Sequence, residues 1–249
     1  MEKWQQEGID TSQVIVEKGG FTGVHFLMAE RDGSWSAIYY RKDSCASHFS
    51  PTDVDSSYIR NAKVFHCSGI SQAISSTCME ATFKAARIAK EAGVLFSYDP
   101  NIRLKLWPVD VARAIVNYTL EITDIALLSV DEAKLITGLE SPEEAAKFLL
   151  WRGPSILAIK LGRRGCLIAT EDDMFEVSGF EVNVVDTVAS GDAFDGAFIV
   201  GLLEKMPLKK IGLFANAAGA LKCMGRGAVP SIPHRSDVIH FLHEKGISL

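Results

Sequence analysis

The chain has 249 residues, of which 47% are hydrophobic and 23% charged, and a formal net charge of −5. That balance suits one domain that buries a real core, and it carries no electrostatic footprint for nucleic acid. No apolar run reaches membrane-spanning length, and Met1-Glu2-Lys3-Trp4 does not open a signal peptide, so neither a membrane nor a nucleic acid is an expected partner. Cys45, Cys67, Cys78, Cys166 and Cys223 are scattered without a C-x-x-C pair. They read as reduced thiols of a cytoplasmic protein, not as a disulfide or zinc framework. His240 and His243 lie three apart, on a surface helix rather than at a metal.

Residues 1–12 are polar, and Gly8-Ile9-Asp10-Thr11 reads as a helix end passing into a strand. Val14–Val16 and Thr22–Ala29 read as strands split by Gly19-Gly20, and Arg31-Asp32-Gly33-Ser34 is a hairpin turn signal. Trp35–Arg41 returns as a strand, with Tyr39 and Arg41 on one face. This β region, about residues 13–45, suggests a lid or an edge sheet. From Lys63 strands alternate with helices: strands at Val64–Ser68, Val94–Tyr98, Ile125–Leu128 and Ser155–Lys160, helices at Ser76–Glu91, Val109–Tyr118 and Asp131–Thr137, and a helix start at Ser141-Pro142-Glu143-Glu144. Cys166–Thr170 pairs with a strand near Met174–Val177, and helices follow at about Leu208–Met224 and Ser236–Lys245. The alternation predicts an α/β fold with a mostly parallel sheet, whose ligands bind at the carboxyl ends of the strands.

One stretch stands out: Val185-Asp186-Thr187-Val188-Ala189-Ser190-Gly191-Asp192-Ala193-Phe194-Asp195-Gly196-Ala197-Phe198. An apolar run turns through small residues into a helix that continues to about Leu203. Small residues leave N–H groups uncovered at the helix start, and with the helix dipole these make an anion site. Asp192 in the first turn would face the anion; a common helix-start Asp accounts for it equally well. In the same way, Arg103 after the Val94–Tyr98 strand is either a surface cation or an anion ligand. Glu132 is either a helix-start acid or a site carboxylate.

The stretch resembles the second signature of the PfkB, or ribokinase-like, family of sugar kinases, D-T-x-G-A-G-D-A-F-x-G-A-F. Ala189 follows the ribokinase variant D-T-x-A-A-G-D, and Ser190 replaces the usual Ala. The resemblance implies that Asp192 is the catalytic base and that the amides of Ala189, Ser190 and Gly191 through Asp192 form the anion hole. Asp99-Pro100-Asn101-Ile102-Arg103-Leu104-Lys105-Leu106-Trp107 resembles the D-P-N-x-R-x-x-L-W loop of fructokinases and 2-keto-3-deoxygluconate kinases, where the Arg matched by Arg103 reaches substrate and phosphate. Tyr39-Tyr40-Arg41 resembles the Y-Y-R of the ketodeoxygluconate kinases, which places Tyr39 and Arg41 on a sugar acid. A guanidinium suits its carboxylate by a bidentate fork. Ser68-Gly69-Ile70 resembles the S-G-I loop, with Ile70 lining the sugar pocket. Ser129-Val130-Asp131-Glu132 is similar to N-x-x-E with Ser for Asn, and implies that Glu132 acts on Mg²⁺ through water. Lys160-Leu161-Gly162-Arg163-Arg164-Gly165 resembles the family's K-x-G-x-x-G, which implies that Lys160, Gly162 and Gly165, with Ser129, lie beside the nucleotide phosphates. Asn216-Ala217-Ala218-Gly219-Ala220 resembles the family's adenine-side helix, which implies a nucleotide contact for Asn216. Asp186 and the Gly225–Gly227 loop match the region where many members hold a monovalent cation such as K⁺.

The implied fold is a ribokinase-like, three-layer Rossmann-type α/β domain over residues 1–249, with a small β lid hairpin that pairs with a partner's in a homodimer. The implied ligands are ATP, Mg²⁺ and a sugar or sugar acid. The resemblance runs from about Gly8 onward. The family's first signature, a Gly- and Asn-rich βαβ segment that contacts the sugar, has no counterpart before Gly8, so the neighbours of those N-terminal strands are expected to be apolar edges. Two readings follow. One is an ATP-dependent kinase of 2-dehydro-3-deoxygluconate (2-keto-3-deoxygluconate), with fructose or ribose as alternative substrates. The other is a catalytically impaired nucleotide-binding or subunit-forming pseudokinase on the same fold.

Overall fold

A computed structural model describes residues 1–29 and 35–248. After a short α1 (Glu2–Gln6), β1 (Val24–Ala29) and β2 (Trp35–Tyr40) form an antiparallel two-stranded ribbon. The Arg31–Ser34 turn signal lies outside the described residues. A short α2 (Ser56–Arg60) then leads into β3 (Val64–Ser68), α3 (Gly69–Ala73), α4 (Ser76–Ala92), β4 (Leu95–Asp99), α5 (Val109–Leu120), β5 (Ile125–Ser129), α6 (Val130–Thr137), α7 (Pro142–Arg152), β6 (Ile156–Lys160), β7 (Gly165–Ala169), β8 (Met174–Ser178), α8 (Ser190–Leu203), α9 (Leu208–Cys223) and α10 (Arg235–Glu244).

The main sheet has six strands in the order β3-β4-β5-β6-β7-β8. β3 to β6 run parallel, while β7 pairs antiparallel with β6 and β8 antiparallel with β7. The four parallel strands bring Ser68, Asp99, Ser129 and Lys160 to one end of the sheet, with Ser68 opposite Asp99 and Ser129 opposite Lys160. Strand β5 (Ile125-Ala126-Leu127-Leu128) is buried throughout, as a central parallel strand covered on both faces must be.

Alternate residues of each strand feed two cores. Phe96, Tyr98, Ala126, Leu128, Leu157 and Ile159 pack against α4 to α7. Ile125, Leu127, Ala158, Cys166 and Ile168 pack against Phe194 and Phe198 of α8 and Ile211 and Ala215 of α9. Phe198 is fully buried there, which is worth roughly 1.5–3 kcal/mol relative to exposure. α10 covers α9 through Val238, Phe241 and Leu242. The result is a three-layer α/β architecture. Among the described residues, no helix is long and apolar enough to cross a membrane.

Caps place the helices where the sequence signals them. Ser141 accepts from the Glu144 amide at the start of α7, with Pro142 at its first position, and α4 and α6 end on left-handed Gly93 and Gly138. Val14–Val16 departs from expectation: it is not a strand, and its three side chains are exposed. A β-branched triplet becomes a strand only with a ladder partner. The polypeptide from Ser44 to Asp53 instead runs back onto α4, held by Cys78 Sγ on the Ala46 carbonyl and Lys84 Nζ on the Pro51 carbonyl.

Candidate active site

The residues at the strand ends form one buried ionic group on the α8 side of the sheet. Lys160, at the end of β6, donates to both carboxylate oxygens of Asp195 at 3.0 and 3.2 Å and to Asp99 Oδ2 at 3.3 Å. The side chains of Asp195 and Asp99 are 3% and 7% exposed, so each carboxylate needs a partner. Burial disfavours the Lys160 charge, but Asp195 and Asp99 outweigh it and hold the ammonium above its ordinary range. Burial pushes the Asp195 carboxyl well above the carboxylate range; Lys160 pulls it back, and Asp99 raises it further. Two carboxylates thus share one cation.

The anion-hole segment sits on this group. Ala189 precedes α8 in a left-handed conformation (φ +64°), which a non-glycine residue adopts at a cost of roughly 1–2 kcal/mol. The Ser190 amide is taken by the Thr187 carbonyl at 3.2 Å. Among the described residues, the Gly191 and Asp192 amides have no backbone acceptor. Gly191 packs close to the ionic group: a Cβ there would stand 3.6 Å from Lys160 Nζ. Asp192, one residue on, is exposed in the first turn of α8. His66 on the edge strand β3 shares a 3.0 Å hydrogen bond with Ser97 Oγ. Desolvation lowers its pKa, while Asp99 and Asp192 pull it up and Lys160 pushes it down, so the ring faces the same charges.

The loops around this floor are stitched together. Asp99 Oδ1 accepts from the Asn101 amide at 2.9 Å and turns the loop that carries Arg103. Glu132 belongs to a capping box: Oε2 accepts from the Ser129 amide and hydroxyl at 2.8 and 2.7 Å. Its Oε1 accepts from the Ile102 amide at 2.7 Å, which ties the Arg103 loop to α6. One acceptor site of Oε1 remains for a water of a hydrated Mg²⁺, the kind of contact that ion prefers. Gly69 must be glycine, because a Cβ would lie 2.1 Å from the Pro100 carbonyl oxygen. That contact sets Ile70, half-buried, beside the Asp99–Pro100 turn.

The ribbon joins the same end of the molecule through Lys105, whose ammonium donates to the Ala37 carbonyl of β2 at 2.7 Å. Arg41 lies over the Tyr39 ring at 5.2 Å. Its Nη1 is buried and has no acceptor among the described residues. Arg103 is exposed, and among the described residues its side chain makes only a 3.4 Å bond to the Ile102 carbonyl.

The match with known proteins decides what this arrangement belongs to. Residues 1–235 match the model of the pfkB family carbohydrate kinases. The chain belongs to the PfkB family. It is therefore a carbohydrate kinase, an ATP-dependent phosphotransferase acting on a sugar. A protein named probable fructokinase-2 from Arabidopsis thaliana is 34% identical over 247 residues, covering 96% of this chain and 75% of the relative. Two solved structures share the fold. An E. coli protein described as a ribokinase II, in complex with ATP and Mg²⁺, has a TM-score of 0.90 at 27% identity, covering 98% of this chain and 78% of that one. A fructokinase with bound ATP from Xylella fastidiosa has a TM-score of 0.87 at 25% identity, covering 99% and 81%.

Within this PfkB chain, the structure brings Lys160, Gly191, Asp192, Ser129, Glu132 and the Arg103 loop to one end of the sheet. Other expected site residues are placed by the scaffold. Asn216 is buried, with Nδ2 on the Val177 and Ser178 carbonyls at 3.0 and 3.2 Å. Gly162 lies in an exposed turn, and Gly165 is walled in by Val177, a Cβ there meeting its carbonyl at 2.1 Å. Asp186 stands before the anion hole, with Oδ1 on the Val188 amide and Oδ2 on the Gly227 amide. Asp99, Asp195 and His66 were not singled out as site residues from the sequence. Asp195 did carry a signal: a carboxylate between Phe194 and Phe198 on an apolar helix implies a buried cation partner.

Proposed function

We propose that this PfkB kinase phosphorylates a hydroxyl of a carboxylated sugar, best represented by 2-keto-3-deoxygluconate. The observation that carries the reading is Arg41: a buried guanidinium nitrogen without an acceptor, on the segment that Lys105 ties to the Arg103 loop. A buried donor left unpaired costs about 1–3 kcal/mol unless a ligand satisfies it, and a planar fork suits a carboxylate. Fructose offers no such anion. The fructokinase names among the relatives favour fructose as the second reading.

In the reaction, the free Gly191 and Asp192 amides receive the transferred phosphoryl oxygens, and Asp192 takes up the proton of the attacking hydroxyl late. Lys160, clamped by Asp99 and Asp195, fixes the floor under Gly191, because this chemistry is mainly positioning and charge stabilisation. Glu132 would hold Mg²⁺ through water, and the ion would supply neutralisation of phosphate charge. The exposed apolar face of the ribbon, with Val24, Phe26, Met28, Ile38 and Tyr40, is the lid surface through which a second copy would pair. The impaired-kinase reading predicts ATP binding without turnover.

The test is sugar-dependent ADP release with 2-keto-3-deoxygluconate and with fructose, for the parent and Arg41→Ala. Loss of one charge-assisted pair of about 1.5–3 kcal/mol raises KM for the sugar acid roughly 10- to 100-fold and leaves fructose unchanged. Equal loss for both sugars removes Arg41 from carboxylate recognition.

A further inference from the structure

Lys222, on the last turn of α9, is 0% exposed. Its ammonium donates to the Asp186 main-chain carbonyl at 2.9 Å and stands 3.9 Å from Asp186 Oδ2. The rest of this corner is also sewn to α9 and the loop after it. The Val185 and Asp186 amides donate to the Cys223 carbonyl at 2.8 and 3.1 Å. The Asp186 carboxylate accepts from the Val188 amide at 3.0 Å and from the Gly227 amide at 2.8 Å. Each of the three oxygens of Asp186 already accepts from one N–H donor. A cation placed against the Asp186 carbonyl and Oδ2 would meet a buried ammonium of like charge at 2.9 and 3.9 Å from those oxygens. The residues present do not fit a monovalent cation at Asp186. An ammonium is similar to a potassium ion in size and takes the same oxygen ligands, so Lys222 fills that role from within the chain.

We propose that Lys222 is a positioning residue whose ammonium organises the Asp186–Ala189 loop, and hence the anion hole, so that no monovalent cation is needed at Asp186. The turnover arm of the test rests on the kinase reading; the melting arm does not. Thermal melting of the full chain and its ADP release are measured in potassium, sodium and tetramethylammonium chloride at equal ionic strength. The parent melts alike in all three, and its kcat varies by less than about twofold. Lys222→Ser opens space and frees the Asp186 carbonyl. It melts lower in tetramethylammonium and is raised selectively by potassium, and its kcat falls about tenfold or more and recovers in potassium, with KM for the sugar little changed. A parent stabilised or activated selectively by potassium overturns the proposal, as does a folded Lys222→Ser indifferent to the salt. If Lys222→Ser does not fold, the parent's salt response decides alone. A parent inactive on every sugar refutes the kinase reading, and the melting comparison still judges Lys222.

Discussion

Lys160 holds two carboxylates that have little access to water, and removing its charge exposes how much the fold depends on it. In Lys160→Met the stem and its packing remain, while Asp195 and Asp99, with side chains 3% and 7% exposed, lose their only ion-pair partner among the described residues. Breaking one side of a buried pair costs about 3–5 kcal/mol, because the charge left behind is uncompensated. For a chain of this length each kcal/mol lowers Tm by roughly 2–4 °C, so the expected drop is about 6–20 °C. Adding Asp195→Asn removes one stranded charge and keeps its shape, and should recover about half. The pH dependence gives a second handle. Burial already holds Asp195 above the carboxylate range. Without Lys160 the folded state binds protons that the unfolded chain releases, so stability falls as pH rises through that window. Urea unfolding of Lys160→Met should therefore show stability recovering from pH 7 toward pH 5, by up to about 1.4 kcal/mol per pH unit for each carboxyl that takes up a proton. A loss below about 1 kcal/mol, or one independent of pH, would refute the claim that these carboxylates depend on Lys160.

Two further outcomes follow from the geometry. Asp192 is exposed, and among the described residues its carboxylate has no hydrogen-bond or ion-pair partner, so Asp192→Asn should melt within a degree or so of the parent while kcat falls roughly 10²- to 10⁴-fold, as loss of general-base help requires; parent-like turnover in a coupled assay removes it from the chemistry. Gly69→Ala drives a methyl against the Pro100 carbonyl, so the S-G-I loop must shift, at a cost of about 1–3 kcal/mol by calorimetry together with a raised sugar KM. An unchanged KM would detach that loop from the sugar pocket.

Much of the scaffold was legible because its signals are local. A buried parallel strand reads as an unbroken apolar run, and Ser141-Pro142-Glu143 marks a helix start within a residue. The strand ends then follow from topology, which is why Asp99, Ser129 and Lys160 could be expected at one edge. Val14–Val16 failed for the opposite reason: strand formation depends on a partner that a propensity reading does not contain. Glu132 shows a different limit. The same S-x-x-E pattern that suggests a metal contact is also a capping box, and the structure uses it as one. Motif matching finds positions that face a ligand. It does not say which residues meet across the fold, as Asp195 meets Lys160 and Lys222 meets Asp186.

Those hidden pairs explain how an acidic protein can hold a triphosphate. At the candidate site Lys160 is consumed by two carboxylates, and Lys222 is shared with Asp186. Neither ammonium has charge to spare for a ligand. Their effect is to weaken the repulsion that Asp99, Asp195 and Asp186 would otherwise exert on phosphate, and to brace the loop between Asp186 and Gly191. On the proposed mechanism, binding of the anion falls to neutral donors, the amides of Gly191 and Asp192, which act without reorganising and gain strength where water is excluded. Asp192 is exposed and has no ion-pair partner among the described residues, and on the proposed mechanism a proton acceptor is what the reaction needs there. On this view the lysines set the stage for Asp192 by silencing its neighbours.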